Sequence, residues 1–181
     1  MTEKTSEILK NGCLNHVVQY PPEYSMCTGC ISCEMVCSVL HEGVVSPSLS
    51  RIKVKLGPTK TMLHTILSCT QCEDHPCYEK CPKKDKAMCI DPDTGIVYVN
   101  PDECIGCGLC AKNCRYEDSR IRMITVTGGK YKRRALKCDL CRGRAEGPAC
   151  VQWCPARVLG LFEASNSNLT APAAVSREVS K

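Results

Sequence analysis

Residues 104–114 read Cys-Ile-Gly-Cys-Gly-Leu-Cys-Ala-Lys-Asn-Cys, four cysteines spaced C-x2-C-x2-C-x3-C. Upstream, residues 69–82 read Cys-Thr-Gln-Cys-Glu-Asp-His-Pro-Cys-Tyr-Glu-Lys-Cys-Pro, spaced C-x2-C-x4-C-x3-C-P. Three cysteines so close can wrap three corners of one small body. The fourth, four residues on, has begun a helix and points away, so it reaches a second body instead. A four-iron cubane needs one thiolate per iron, and this spacing meets that need, down to the proline that presets φ after the fourth cysteine. Working outward, Cys27, Cys30, Cys33 and Cys37 repeat the first spacing, while Cys138, Cys141, Cys150 and Cys154, then Pro155, run C-x2-C-x8-C-x3-C-P. Sixteen of the eighteen cysteines fall into four groups, numbered one to four along the chain. Cys13 and Cys89 are left over and read as ordinary thiols. Ser38 and Arg115 stand where groups one and three lack the proline.

The composition agrees with metal as the stabiliser. With cysteine set aside, only about a third of the chain is apolar, and Phe162 and Trp153 are its single phenylalanine and tryptophan. That is little for a self-sufficient core. Residues 1–13 have no apolar h-region, which excludes a signal peptide in this stretch and favours a reducing compartment, the cytoplasm, over a disulfide scaffold. No stretch approaches the roughly 18–20 apolar residues that span a bilayer. The formal charge of +5 counts cysteines as neutral; four thiolate-bound cubanes would bring it to about −3. Residues 115–144 carry ten Lys/Arg against three Asp/Glu, which offsets cluster charge or offers an acidic partner a patch. Without a reading motif or interleaved aromatics, nucleic acid is not the partner.

Between groups two and three, Ile90-Asp-Pro-Asp-Thr-Gly-Ile-Val-Tyr-Val-Asn100 is a turn followed by a short strand. With its flanking cysteines it resembles a two-cluster bacterial ferredoxin. The expected fold is α+β: two nested bacterial-ferredoxin-like units with short strands, short helices and cluster-binding loops. Residues 63–126 form the inner unit (groups two and three), and 25–62 with 127–163 the outer unit (groups one and four). Residues 1–24 are an N-terminal extension and 164–181 a C-terminal tail, flanks that pack poorly by themselves. Strands are predicted at Arg51–Leu56, Met62–Leu67, Ile121–Thr127 and Lys130–Leu136, with Gly128-Gly129 as a hairpin turn, and a short helix after each group's last cysteine.

Four tetrads in this order, with Lys137-Cys-Asp-Leu-Cys141 opening the last, resemble the four-cluster electron-transfer subunits of pterin-dependent molybdenum and tungsten oxidoreductases, over residues 24–162. The resemblance implies group one sharing clusters with group four, and two with three. Cluster A then takes Cys27, Cys30, Cys33 and Cys154; cluster B takes Cys37, Cys138, Cys141 and Cys150. Cluster C takes Cys69, Cys72, Cys77 and Cys114; cluster D takes Cys81, Cys104, Cys107 and Cys110. The segment Met26–Cys37 and its continuation His41-Glu-Gly-Val-Val-Ser-Pro47 are similar to the small polyferredoxin partners of aldehyde oxidoreductase-type tungsten enzymes, the benzoyl-CoA reductase type being the nearest match.

The function expected is a relay of single electrons through four [4Fe–4S] clusters between a pterin tungsten or molybdenum catalytic subunit and a further carrier, subunit or ferredoxin. The chain itself has no catalytic residue. A free-standing polyferredoxin serving several enzymes is the alternative. Zinc is the competing metal, above all at cluster B, where C-x2-C-x8-C-x3-C could hold one ion. His16, His41, His64 and His75 match no ligand spacing and read as core or surface residues. Trp153 reads as packing that shields a cluster, and Asp102-Glu103 as a solvated turn.

Overall fold

Apolar residues in twos and threes between the cysteine groups have room only for very short strands, and short strands form. The computed structural model describes residues 15–59, 63–127 and 130–163, with the backbone of 168–170. β2 (Lys53–Lys55) pairs antiparallel with β3 (Thr65–Leu67), Val54 facing Ile66. Those two side chains are buried while Lys53 and Lys55 face out, the period-two alternation of a half-buried strand. β4 (Met88–Ile90) pairs with β5 (Val97–Val99) across a turn in which the Asp91 carboxylate accepts the N–H groups of Asp93 and Thr94, both at 3.1 Å. β6 (Arg122–Thr125) pairs with β7 (Arg133–Leu136); the Gly128-Gly129 turn lies outside the described residues. β8 (Leu159–Glu163) lies between β1 (His16–Gln19) and β9 (Asn168–Thr170).

The last sheet corrects the view of the flanks. His16–Gln19 is a strand, His16 and Val17 are buried, and β9 adds an edge from the segment assigned to a poorly packing tail. The helices also differ from expectation. α1 (Ser32–Glu42), α2 (Pro76–Glu79), α3 (Leu109–Lys112) and α4 (Ala149–Gln152) hold the third cysteine of each group, Cys33, Cys77, Cys110 and Cys150, rather than following the fourth. In groups two to four the fourth cysteine comes just after the helix; in group one, Cys37 lies a turn further along α1. One helical turn advances about 5.4 Å, so the helix itself carries the fourth thiol away from the first three.

Viewed in chain order, the elements repeat. β1, group one, the β2–β3 hairpin, group two and β4 correspond to β5, group three, the β6–β7 hairpin, group four and β8. Ser50-Arg51-Ile52 and Ser119-Arg120-Ile121 stand at the same place in each half. Ser50 Oγ donates to Ile52 O and accepts Ile52 N, and Ser119 does the same with Ile121. The Arg51 amide donates to Cys37 Sγ at 3.3 Å and the Arg120 amide to Cys114 Sγ at 3.4 Å. Left-handed backbone recurs at Gly29 and Gly106, at Ile31 and Gly108, and at Gln71 and Leu140. Each half closes on the other, the last strand of the first half pairing with the first strand of the second (β4 with β5) and the reverse (β8 with β1).

Two buried clusters result. One gathers Val17, Ile52, Val54, Ile66, Val158 and Leu159 with Cys33, Cys37, Cys138 and Cys150. The other gathers Met88, Val97, Ile121 and Ala135 with Cys77 and Cys110. In both, thiols occupy places that aliphatic side chains would fill in an ordinary core. Buried Glu34 ties α1 to β2, accepting Val54 N at 2.7 Å and Lys53 Nζ at 2.9 Å. No helix of the described residues is long and apolar enough to cross a membrane.

Candidate cluster-binding sites

Groups two and three line two cavities. Cys69, Cys72 and Cys77 of group two share the first with Cys114 of group three, beside Gln71, Arg120 and Lys137; it encloses about 360 Å³ of empty space, open mouth included. Cys104, Cys107 and Cys110 of group three share the second, of about 350 Å³, with Cys81 of group two. Each cavity thus takes three cysteines from one loop and the fourth from the other.

Thiols of groups one and four also lie near one another. The Cys33 thiol is pushed up to about 12 by burial and by the charges of Glu34, Cys154 and Cys27. Cys30 is exposed, and the Ser32 hydroxyl 3.4 Å from its sulfur holds its pKa below the ordinary value. Cys150 is pushed far up by burial and by Cys138, Cys37 and Cys141 around it, with Cys33 beyond. Cys138 is raised by burial and then by Cys69. Cys77 and Cys110 rise to about 11 and about 12, by burial first; Cys77 feels Cys69 and Cys72 of its own loop, and Cys110 feels Cys104 and Cys107 of its own loop and Cys77 of the other. Thiols packed this way resist becoming thiolates unless a cation is placed among them, which is the condition an iron–sulfur core supplies. Amides of Gly29, Arg51, Arg120 and Ala135 already point at Cys27, Cys37, Cys114 and Cys104. Among the described residues no three His, Cys, Asp or Glu side chains converge as a single ion requires. A cubane asks for four thiolates spread around it, so the residues fit that group.

Two neighbours of these thiols were not legible in the spacing. His41, read as a bystander, donates from Nδ1 to Cys37 O at 2.9 Å, with Cys37 Sγ 3.8 Å away, and from Nε2 to Asp139 Oδ1 at 2.9 Å. Burial opposes its charge, but Asp139 and Cys37 outweigh it and raise the imidazole to about 10, so both nitrogens carry protons. Cys37 shows the converse: burial would raise it, while His41 and the Arg51 amide bring it below the ordinary value. A cysteine–histidine–aspartate series can activate a nucleophile, but Cys37 is only 6% exposed and no substrate could reach it; the series ties α1 to the group-four loop. The second neighbour is Lys137, in the first cavity. The repeated Ser-Arg-Ile was the sequence signal for the amides that meet Cys37 and Cys114. Trp153, expected to shield a cluster, is 63% exposed. Glu103 pairs with Lys83 at 2.7 Å. Cys89 donates to Lys86 O and joins none of the four sets; Cys13 lies outside the described residues.

A small α+β protein whose cores are built on cysteine is an iron–sulfur protein of the ferredoxin type. A family model described as a 4Fe-4S dicluster domain matches residues 60–164, more than half of the chain, and the chain belongs to that family. It is 41% identical over 129 residues to the polyferredoxin-like subunit of an aliphatic sulfonate oxidoreductase of Pyrococcus furiosus, an alignment covering 71% of this chain and 66% of that one. It is 36% identical over 150 residues to the electron transport protein HydN of Escherichia coli, covering 75% and 82%. Among solved structures, the active-site complex BamBC of benzoyl coenzyme A reductase aligns with 82% of this chain and 78% of its own at a TM-score of 0.41 and 24% identity, a likeness too slight to carry an argument.

Proposed function

We propose that this chain is the electron-transfer subunit of an oxidoreductase complex, relaying single electrons through four [4Fe–4S] clusters held by the sixteen cysteines in sets A to D, within two nested ferredoxin-like units. The observation that carries this reading is the continuity of the thiols. Cys33 of set A bears on Cys150 of set B, Cys69 of set C on Cys138 of set B, and Cys77 of set C on Cys110 of set D. That contact order supports a wire running A–B–C–D. Its ends reach the surface at Cys30 and Cys107, both exposed. Large apolar side chains stand exposed near both ends, Tyr24 at 82% and Met26 at 57% by the first and Ile105 and Leu109 on either side of Cys107 at the second, where Lys83 also lines the cavity. Both ends thus offer apolar surface to a docked partner. The partner we propose is a pterin tungsten or molybdenum catalytic subunit, most narrowly of the benzoyl-CoA reductase type, and the compartment is the cytoplasm. The support for that partner is the resemblance over residues 24–162.

When bound, each cluster supplies a one-electron couple. The chain's own residues position the thiolates, donate amide N–H groups to sulfur, and set burial and charge around each site. Anaerobic affinity purification from the native cell, with metal analysis, tests the whole reading. The expected result is about 16 iron and 16 sulfide per chain, with a co-purifying subunit containing tungsten or molybdenum. About 12 iron with one zinc would assign set B to zinc, about 8 would leave only the central pair, and a metal-rich free monomer would favour a shared polyferredoxin.

A further inference from the structure

Lys137 is a buried cation with no anion beside it. It is 2% exposed, between β7 and Cys138. Its ammonium donates to Gln71 Oε1 at 3.0 Å, to Cys138 O at 3.3 Å and to Val97 O. Lysine has three donors and no acceptor, so these three oxygens satisfy it as a charged group. Gln71, 1% exposed, is held in turn by Val97 N on Oε1 and by Cys138 O on Nε2. The pair therefore locks the group-two loop, β5 and the start of group four around one positive charge, on the wall of the cavity lined by Cys69, Cys72, Cys77 and Cys114.

The duplication supplies an internal comparison. In the first half the place of Lys137 is taken by Ser68, whose hydroxyl donates to Val17 O in β1 as Lys137 donates to Val97 O in β5. The framework is repeated and the charge is not. Around the counterpart set, Cys37, Cys138, Cys141 and Cys150, the cations meet carboxylates: His41 with Asp139 at 2.9 Å and Arg51 with Glu42 at 3.3 Å. On the cavity of Cys69, Cys72, Cys77 and Cys114, Arg115 likewise pairs with Asp74 at 2.9 Å, and Arg120 there and Arg51 at the counterpart set each keep buried guanidinium nitrogen without a hydrogen-bond partner, but among the described residues no carboxylate lies within ion-pair distance of Lys137. Reducing a cluster adds negative charge, and a fixed cation nearby favours that state, the more so away from water.

We infer that Lys137, held by Gln71, is a potential-setting residue that makes the cluster of Cys69, Cys72, Cys77 and Cys114 a resting place for the electron, at higher potential than its counterpart in the other half. The inference rests on the four-cluster reading above. Its test is an EPR-monitored redox titration of the iron-loaded full chain, with the signal identified as the one abolished by Cys114→Ala. In the wild type that signal titrates above the one abolished by Cys37→Ala. In Lys137→Gln, with iron retained, its reduction constant falls about tenfold, about 59 mV for a one-electron couple. Lys137→Arg keeps the wild-type value, and Gln71→Glu, which sets a carboxylate against the lysine, lowers the same signal. An unchanged potential in Lys137→Gln, or an equal fall in Lys137→Arg, overturns the inference. If Lys137→Gln sheds iron, Gln71→Glu decides by the same shift; if both shed iron, Lys137 is a structural strut and the inference fails. Wild-type protein without four cubanes overturns the functional reading instead, and metal analysis shows that before any titration.

Discussion

A Cβ added at Gly106 would lie 2.4 Å from the Arg133 carbonyl oxygen and 2.6 Å from Arg133 Cβ, with φ at +68°. Both the backbone conformation and the space exclude a side chain, because β7 passes directly over the group-three loop. At the matching position in group one, Gly29, φ is +70° but the neighbours are the His64 ring and the Leu56 side chain at 3.0–3.1 Å. Side chains can shift where backbone cannot. Gly106→Ala should therefore cost more than about 2 kcal/mol, left-handed strain plus a clash, and Gly29→Ala about 1–2 kcal/mol, chiefly strain. Thermal unfolding of the iron-loaded protein measures both. Equal losses would show that approach of β7 does not constrain the loop. The glycines at 29 and 106 were visible in the sequence; which of them is crowded by backbone was not, because Arg133 comes into contact only through the β6–β7 pairing.

At the scale of elements, the short helices decide which site each fourth cysteine serves. α3 holds Cys110 beside Cys104 and Cys107, and its end delivers Cys114 into the cavity of Cys69, Cys72 and Cys77. Cys114→Ala should thus abolish the EPR signal lost in Cys69→Ala and spare that lost in Cys104→Ala. Loss of the Cys104 signal would reverse the pairing. The expectation of helices after each last cysteine put these elements about one turn too late. Spacing alone fixes how far apart two thiols are along the chain, but the start of a helix depends on where the loop can turn. That is set here by left-handed residues such as Ile31 and Gly108, the N-caps of α1 and α3.

The whole molecule is two copies of one plan closed into a ring, with thiols standing in for much of the missing aliphatic core. So little apolar packing makes metal binding a large part of the folding free energy. Stripping iron with a chelator should unfold the chain cooperatively, with loss of far-ultraviolet circular dichroism and of the melting transition. An apo protein that keeps both would show that the two cores suffice without clusters.

Local chemistry was legible from the residues. The four cysteine groups, the Asp91 turn and the hairpins around Val54–Ile66 and Met123–Ala135 follow from spacing, turn residues and alternation within a dozen or so positions. Three features were decided by tertiary structure alone. His16–Gln19 becomes a strand because β8, some 140 residues later, lies beside it. His41 is buried against Asp139, 98 residues away, and Lys137 against Gln71, 66 residues away. In each case the partner is a side chain or edge that no local pattern announces. The physical reason is that ring closure brings the two ends of a duplicated chain together, and only that closure places a charge, a strand edge or an imidazolium next to thiols encoded far off in the sequence.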